Sequence, residues 1–286
     1  MNLIKTYYYL TKPGLIYGNL LTVIAGYLYG AILQPEFDQL IGVVLGSWLV
    51  MASGTVINNV LDRNMDKHMK RTKKRALVTG SVTPQNALIY ALVLFIAGIS
   101  ILTAMTNVLT VALGVIGVTT YAGIYTYAKS RTVYATLLGT IPGATPLLAG
   151  YAAATNRVDV SFWALATIMV FWQMVHFYAI AIFRQKEYKA AKVPVITVVS
   201  TIFTTKILMS IFVGCYVLAI VALARFGYAG MFYLACMMPL SLWWLIVTVS
   251  GLWTEENTAW SRKVFFISLL MLPALCTTLG LNAWTP

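Results

Sequence analysis

Apolar stretches of about twenty residues, the length that crosses a hydrocarbon core about 30 Å thick, follow one another along almost the whole chain. Short polar segments separate them. The pattern predicts nine spans, over 14–33, 39–61, 84–103, 107–128, 133–154, 160–183, 201–224, 229–252 and 263–284. Helix is the expected form, because backbone groups in lipid must find their partners within the segment. Gly26 and Gly30, Gly42 and Gly46, and Gly139 and Gly143 stand four residues apart, a spacing that lets helices approach closely. Pro142, Gly143 and Pro146 should bend or open the fifth span, a feature that often lines a cavity in membrane helices. The expected fold class is all-α: a polytopic membrane protein, a bundle of about nine transmembrane helices in a single domain over 1–286.

Composition agrees. The chain is 60% hydrophobic and 10% charged, against about 25% charged in soluble domains, and its mean hydropathy is +0.80. The N-terminal stretch lacks the pattern of a cleaved signal peptide, so the first span is expected to be retained. Cys215, Cys236 and Cys276 fall inside apolar segments without metal-ligand spacing and are expected to pack as small hydrophobes.

A net charge of +12 would suit a nucleic-acid partner, but its placement argues for topology. Of the 20 Lys and Arg, only Arg157 and Arg225 fall in connections on one side; the rest, Lys206 included, are assigned to the other. The positive-inside rule puts that basic side and the N-terminus in the cytoplasm, with the C-terminus outside. The cations at positions 63, 67, 70, 71 and 73–75 exceed what topology requires and stand beside two aspartates, which points to an anionic ligand.

That segment, NNVLDRNMDKHMKRTKKR over 58–75, carries the most chemistry. Asn58, Asp62 and Asp66 are spaced i, i+4, i+8, so on a helix they share one face with about 6 Å between successive members. Two carboxylates and an amide form an oxygen-only donor set suited to Mg²⁺, which keeps some waters and bridges to phosphate oxygens. Arg63, Arg71, Lys73, Lys74 and Arg75 supply cations for a diphosphate. The plainer reading is a helix end with solvated ion pairs, but the chain has only eight acidic residues and carboxylates near a membrane are costly. On the same side, WQMVHFYAIAIFRQKEYKAAKVPV over 172–195 places His176 two turns inside a helix end, followed by Arg184, Lys186 and Glu187. Lys129 and Arg131 form a third basic connection. Metal and cations would neutralise a departing diphosphate. Aromatic residues such as Tyr121, Tyr125, Tyr151, Phe177 and Tyr178 would then shield the allylic cation left behind.

These segments, with YAKSRTVYATLLGTIPGATPLLAGY over 127–151 and the N-terminal LTKPGLIYGNLLTVIAGY, resemble the protoheme IX farnesyltransferase branch of the UbiA superfamily of intramembrane prenyltransferases. The resemblance spans nearly the whole chain. It implies a nine-helix bundle in the bacterial inner membrane with its site at the cytoplasmic helix ends. It implies farnesyl diphosphate as donor, Mg²⁺ as metal, protoheme IX (heme B) as acceptor and heme O as product, supplied to heme A synthase or terminal-oxidase assembly. By family role, Asn58, Asp62 and Asp66 match the metal–diphosphate motif and Arg63 and Arg71 its basic companions. Lys129 and Arg131 match the central pair, and His176, Arg184 and Glu187 the third motif. The sequence departs from the family pattern at Glu187, where Asp is common, and at Thr145, Val175 and Thr197, where Pro is usual.

Three other readings compete. A UbiA-type enzyme for a quinone precursor usually has a more acidic second motif. A transporter of anionic lipid or metabolite would show repeated broken helices in its two halves, and no such repeat stands out. A heme-carrying electron carrier is disfavoured by only two histidines, His68 and His176.

The charge asymmetry has a direct test. Single cysteines introduced at Thr79 and Ala190 should be shielded from a membrane-impermeant thiol reagent in intact cells; labelling of both from outside would reverse the orientation.

Overall fold

The computed structural model describes residues 3–32, 34–67 and 72–282. Among these, nine helices are long and apolar enough to cross a membrane: α1 (Pro13–Ala31), α2 (Phe37–Leu61), α3 (Pro84–Met105), α4 (Val108–Ala128), α5 (Ala135–Thr155), α6 (Val160–Phe183), α7 (Ile202–Arg225), α8 (Met231–Trp253) and α9 (Asn257–Asn282). No described residue lies in a strand. The chain is a multi-pass all-α membrane protein.

Local chemistry explains five of the nine helix starts. Pro13 and Pro84 stand at the first turns of α1 and α3, where a missing N–H costs nothing. Side chains of Thr83, Asn107, Asp159 and Thr201 accept from backbone N–H groups in the opening turns of α3, α4, α6 and α7.

Two expectations need correction. The last helix begins at Asn257, so Arg262 and Lys263 lie within it rather than before it. Lys206 lies inside α7 and not in a connection; its buried ammonium donates to the Thr254 carbonyl at 2.7 Å, which lets it sit one turn inside the helix. The fifth span is interrupted at Gly139, between Ala135–Leu138 and Thr140–Thr155, and the longer piece continues through Pro142 and Pro146. Pro146 cannot donate to the Pro142 carbonyl, and the Thr145 hydroxyl takes that place at 2.9 Å. Helix α4 is irregular too, widening into a seven-residue π-helical segment over Thr119–Tyr125.

The bundle is built on close pairs: α1 against α5, α2 against α3, α7 against α8, and α6 against both α7 and α9. Helices α5 and α6 are the most enclosed, while α3 and α4 are the most exposed. The tightest approach is α1 on α5. A Cβ at Gly150 would lie 2.8 Å from the Tyr27 backbone nitrogen, and one at Gly26 would lie 3.0 Å from that of Tyr151. Small residues bring these backbones together where lipid offers no hydrophobic drive.

Replacing Gly150 by Ala should therefore lower stability by about 1–3 kcal/mol or more, since backbone cannot yield as a side chain does. Gly214→Ala, in open space, should not. Thermal unfolding of the two variants in detergent distinguishes them.

Candidate active site

The second helix ends among the candidate site residues. Asp62 closes α2 with its N–H bonded to the Asn58 carbonyl at 2.9 Å. The short helix Arg63–Asp66 follows, and the Asp66 N–H bonds back to the Asp62 carbonyl at 2.9 Å. The i, i+4 register thus survives the helix end, and Asn58, Asp62 and Asp66 line one cavity of about 530 Å³. That volume falls within the range of small-molecule sites.

All three polar side chains are buried, and each has a cationic partner. Asp66 pairs with Arg75 at 2.6 Å, Asp62 pairs with Lys129, and Lys12 donates to Asn58 Oδ1 at 2.5 Å. Burial, reinforced by the Arg75 guanidinium, pushes the Lys12 ammonium down to about 7. Lys12 reaches the site because it stands just before Pro13 in a left-handed conformation, φ 52°.

The π-helical segment of α4 serves the same end of the cavity. Its Tyr121 and Tyr125 rings stack at 6.0 Å with planes 10° apart and line the wall beside the carboxylates. π-Helical turns recur at functional sites. Just beyond it, Thr126 donates its hydroxyl to the Tyr121 carbonyl at 2.9 Å and accepts from Asn58 Nδ2 at 2.7 Å. That hydroxyl has one proton, so the arrangement assigns the amide orientation and leaves Asn58 Oδ1 on the side of Lys12.

Much of the remaining lining is apolar and aromatic. His176, Phe177, Ile180 and Phe183 of α6 belong to it, with Phe265 and Leu269 of α9. The imidazole Nδ1 lies 2.7 Å from Ser268 Oγ. Toward the mouth, Arg184 stands 3.9 Å from Glu187, and both line the cavity with Tyr188.

The structure thus gathers Asn58, Asp62, Asp66, Lys129, His176, Arg184 and Glu187 around one space. Lys73, Lys186, Arg131 and Arg63 do not line it. Lys73 and Lys186 are exposed. Arg131 lies over the Tyr127 ring at 3.7 Å and donates to the Tyr127 carbonyl at 3.0 Å. Arg63 buries its Nε without a hydrogen-bond partner among the described residues. Arg71 and His68 lie outside the described residues. Sequence reasoning counted Lys12 only toward topology and passed over Thr126 and Ser268. A lysine directly before the proline that opens a span was the available signal for the first. The two hydroxyls had none, since Ser and Thr recur throughout the spans.

The chain belongs to the UbiA prenyltransferase family, whose model matches residues 19–270. It is 41% identical over 285 residues to a protein of Photorhabdus laumondii described as protoheme IX farnesyltransferase, covering 99% of this chain and 97% of that one. It is equally 41% identical, over 280 residues, to protoheme IX farnesyltransferase 2 of Pseudomonas paraeruginosa, covering 98% and 95%. Among solved structures, it superposes with TM-score 0.84 and 16% identity on one concerning digeranylgeranylglyceryl phosphate synthase, covering 99% of each chain. A UbiA homolog from Archaeoglobus fulgidus bound to GPP and Mg²⁺ matches with TM-score 0.72 and 16% identity, over 96% of this chain and 99% of that one. These two likenesses establish the shared fold.

Thr126→Val should leave the Asn58 amide N–H buried and unpaired and cost about 1–3 kcal/mol of stability, while Thr126→Ser should retain the parent value. Denaturant unfolding in detergent measures the difference.

Proposed function

We propose that this chain transfers the farnesyl group of farnesyl diphosphate to a vinyl group of protoheme IX, giving heme O. The observation that carries the reading is 41% identity, over nearly the full length, to proteins named for that reaction. The site chemistry suits it. Asn58 Oδ1 and the Asp62 and Asp66 carboxylates offer only oxygen donors, which fits a hard divalent cation. No group of three or more His, Cys, Asp or Glu gathers among the described residues. A cation held by Asp62, Asp66 and Asn58 would take its other ligands from water and diphosphate, as Mg²⁺ commonly does.

When bound, Mg²⁺ neutralises charge on the leaving diphosphate. Lys12, Arg75 and Lys129 line the same end of the cavity and donate N–H groups to diphosphate oxygens. As the allylic C–O bond breaks, negative charge grows on those oxygens, so these contacts strengthen in the transition state. The stacked rings of Tyr121 and Tyr125 stand beside that point and offer their faces to the allylic cation. The apolar wall of Phe177, Ile180, Phe265 and Leu269 limits the water that reaches the allylic cation and accepts a flat macrocycle. The new C–C bond joins the farnesyl carbon to the vinyl terminus. The cation left on the vinyl carbon next to the ring is captured by one water, whose proton passes to the released diphosphate, giving the hydroxyethyl group. Arg184, at the mouth, binds an acidic group of the acceptor. The site faces the cytoplasm from a bacterial inner membrane, a reading supported by the excess of basic residues at this end, and heme O passes on to heme A synthase or terminal-oxidase assembly.

The test is to incubate purified protein with protoheme, farnesyl diphosphate and Mg²⁺ and to look for farnesylated heme by mass spectrometry. Product that vanishes with a chelator supports the reading. Prenylation of a quinone precursor with protoheme left unchanged would replace it. Asp62→Asn and Asp66→Asn should each slow turnover about 100-fold, roughly 3 kcal/mol of lost transition-state stabilisation, with folded protein retained. Near-normal rates at saturating Mg²⁺ would return both residues to a structural role.

A further inference from the structure

His176 is held more firmly than packing alone requires. Trp172, one turn earlier on α6, stacks on its ring at 5.1 Å with planes 22° apart, and Phe265 of α9 packs against it at 4.9 Å. Both neighbours are tied to Ser268. Trp172 Nε1 donates to the Ser268 carbonyl at 2.9 Å, and the Ser268 hydroxyl, fully buried, donates to the Phe265 carbonyl at 2.5 Å. A carbonyl only accepts, so the single hydroxyl proton of Ser268 is committed to Phe265. The 2.7 Å contact between Ser268 Oγ and His176 Nδ1 must then be a bond in which the imidazole donates. The proton sits on Nδ1, and Nε2 keeps its lone pair. No described residue forms a hydrogen bond with Nε2, and His176 lines the cavity.

We propose that Ser268 is a positioning residue that locks His176 in the Nδ1–H tautomer, so that Nε2 is an axial ligand for the iron of the protoheme acceptor. The inference rests on the acceptor reading given above. An imidazole that ligates a metal characteristically donates its other N–H to an oxygen, which fixes the ring and raises its basicity as a ligand. Here that oxygen is part of a relay, imidazole to hydroxyl to backbone carbonyl, spanning α6 and α9. The surrounding wall of Phe177, Ile180, Phe265 and Leu269 gives a flat macrocycle apolar contact while Nε2 meets its centre. Iron ligation would fix the acceptor's position and leave its vinyl edge free to meet the allylic carbon.

Resonance Raman and absorption spectra of bound protoheme test this in the purified full-length protein, its His176→Ala, Ser268→Ala and Ser268→Thr variants. The parent should show an iron–histidine stretch in the ferrous complex, absent in His176→Ala. Ser268→Ala should shift that stretch to lower frequency and weaken protoheme binding about tenfold or more, and Ser268→Thr, which keeps the hydroxyl, should restore both. If Ser268→Ala does not fold, Ser268→Cys, with a poorer acceptor of similar size, carries the same expectation. A Ser268→Ala complex with the parent spectrum and affinity would overturn the inference while leaving the acceptor intact, as would an iron–histidine stretch that survives in His176→Ala. Parent protein that binds no protoheme would instead overturn the acceptor reading.

Discussion

The arrangement depends on one electrostatic constraint: two carboxylates buried at the end of a membrane helix must be neutralised. Asp62 and Asp66 find Lys129 and Arg75, and the adjacent Asn58 amide finds Lys12. Removing a cation would strand a buried carboxylate, which is strongly destabilising, whereas the Arg75 and Lys129 side chains are the more exposed partners and tolerate replacement of the carboxylate by an amide better. The pairing therefore draws together the N-terminal segment, the connection after α2 and the end of α4, three segments distant in sequence. The same gathering concentrates cations where a diphosphate can use them. On the proposed function, fold stability and leaving-group stabilisation draw on the same side chains.

The rest of the bundle gives that charged end an apolar counterpart. Close α1–α5 packing at Gly26 and Gly150 sets the two helices backbone to backbone, and α5 in turn packs on α6. Helix α6 then brings His176 to the cavity, α9 supplies Phe265 and Leu269 to its wall, and Ser268 of α9 meets the imidazole. One cavity results, charged at one end and aromatic at the other. That polarity matches a donor whose diphosphate is highly charged and an acceptor that is flat and largely apolar.

Much of this was legible in the chain because membrane physics writes it plainly. Span positions follow from apolar length, and the i, i+4, i+8 spacing of Asn58, Asp62 and Asp66 survives the end of α2 because the backbone stays helical through Asp62. What was not legible depends on individual hydrogen bonds. The Thr145 hydroxyl takes up the Pro142 carbonyl that Pro146 cannot meet, and the Lys206 ammonium within α7 finds a distant carbonyl at Thr254. The π-helical widening of α4 has no compositional mark in TTYAGIY. Ser268 is one of many serines in apolar helices, and only its placement between Phe265 and His176 distinguishes it. Residue type told which groups were present; tertiary contact decided which of the many cations faced the cavity.

The central claim is that one cavity holds donor and acceptor at opposite ends. Its most direct test is to measure two affinities separately on purified protein, that of a non-hydrolysable farnesyl diphosphate analogue with Mg²⁺ and that of protoheme. Asp66→Asn should lose donor affinity and keep that for protoheme, and His176→Ala should show the opposite pattern. Loss of donor affinity in His176→Ala, with parent protoheme affinity retained, would contradict the two-ended cavity.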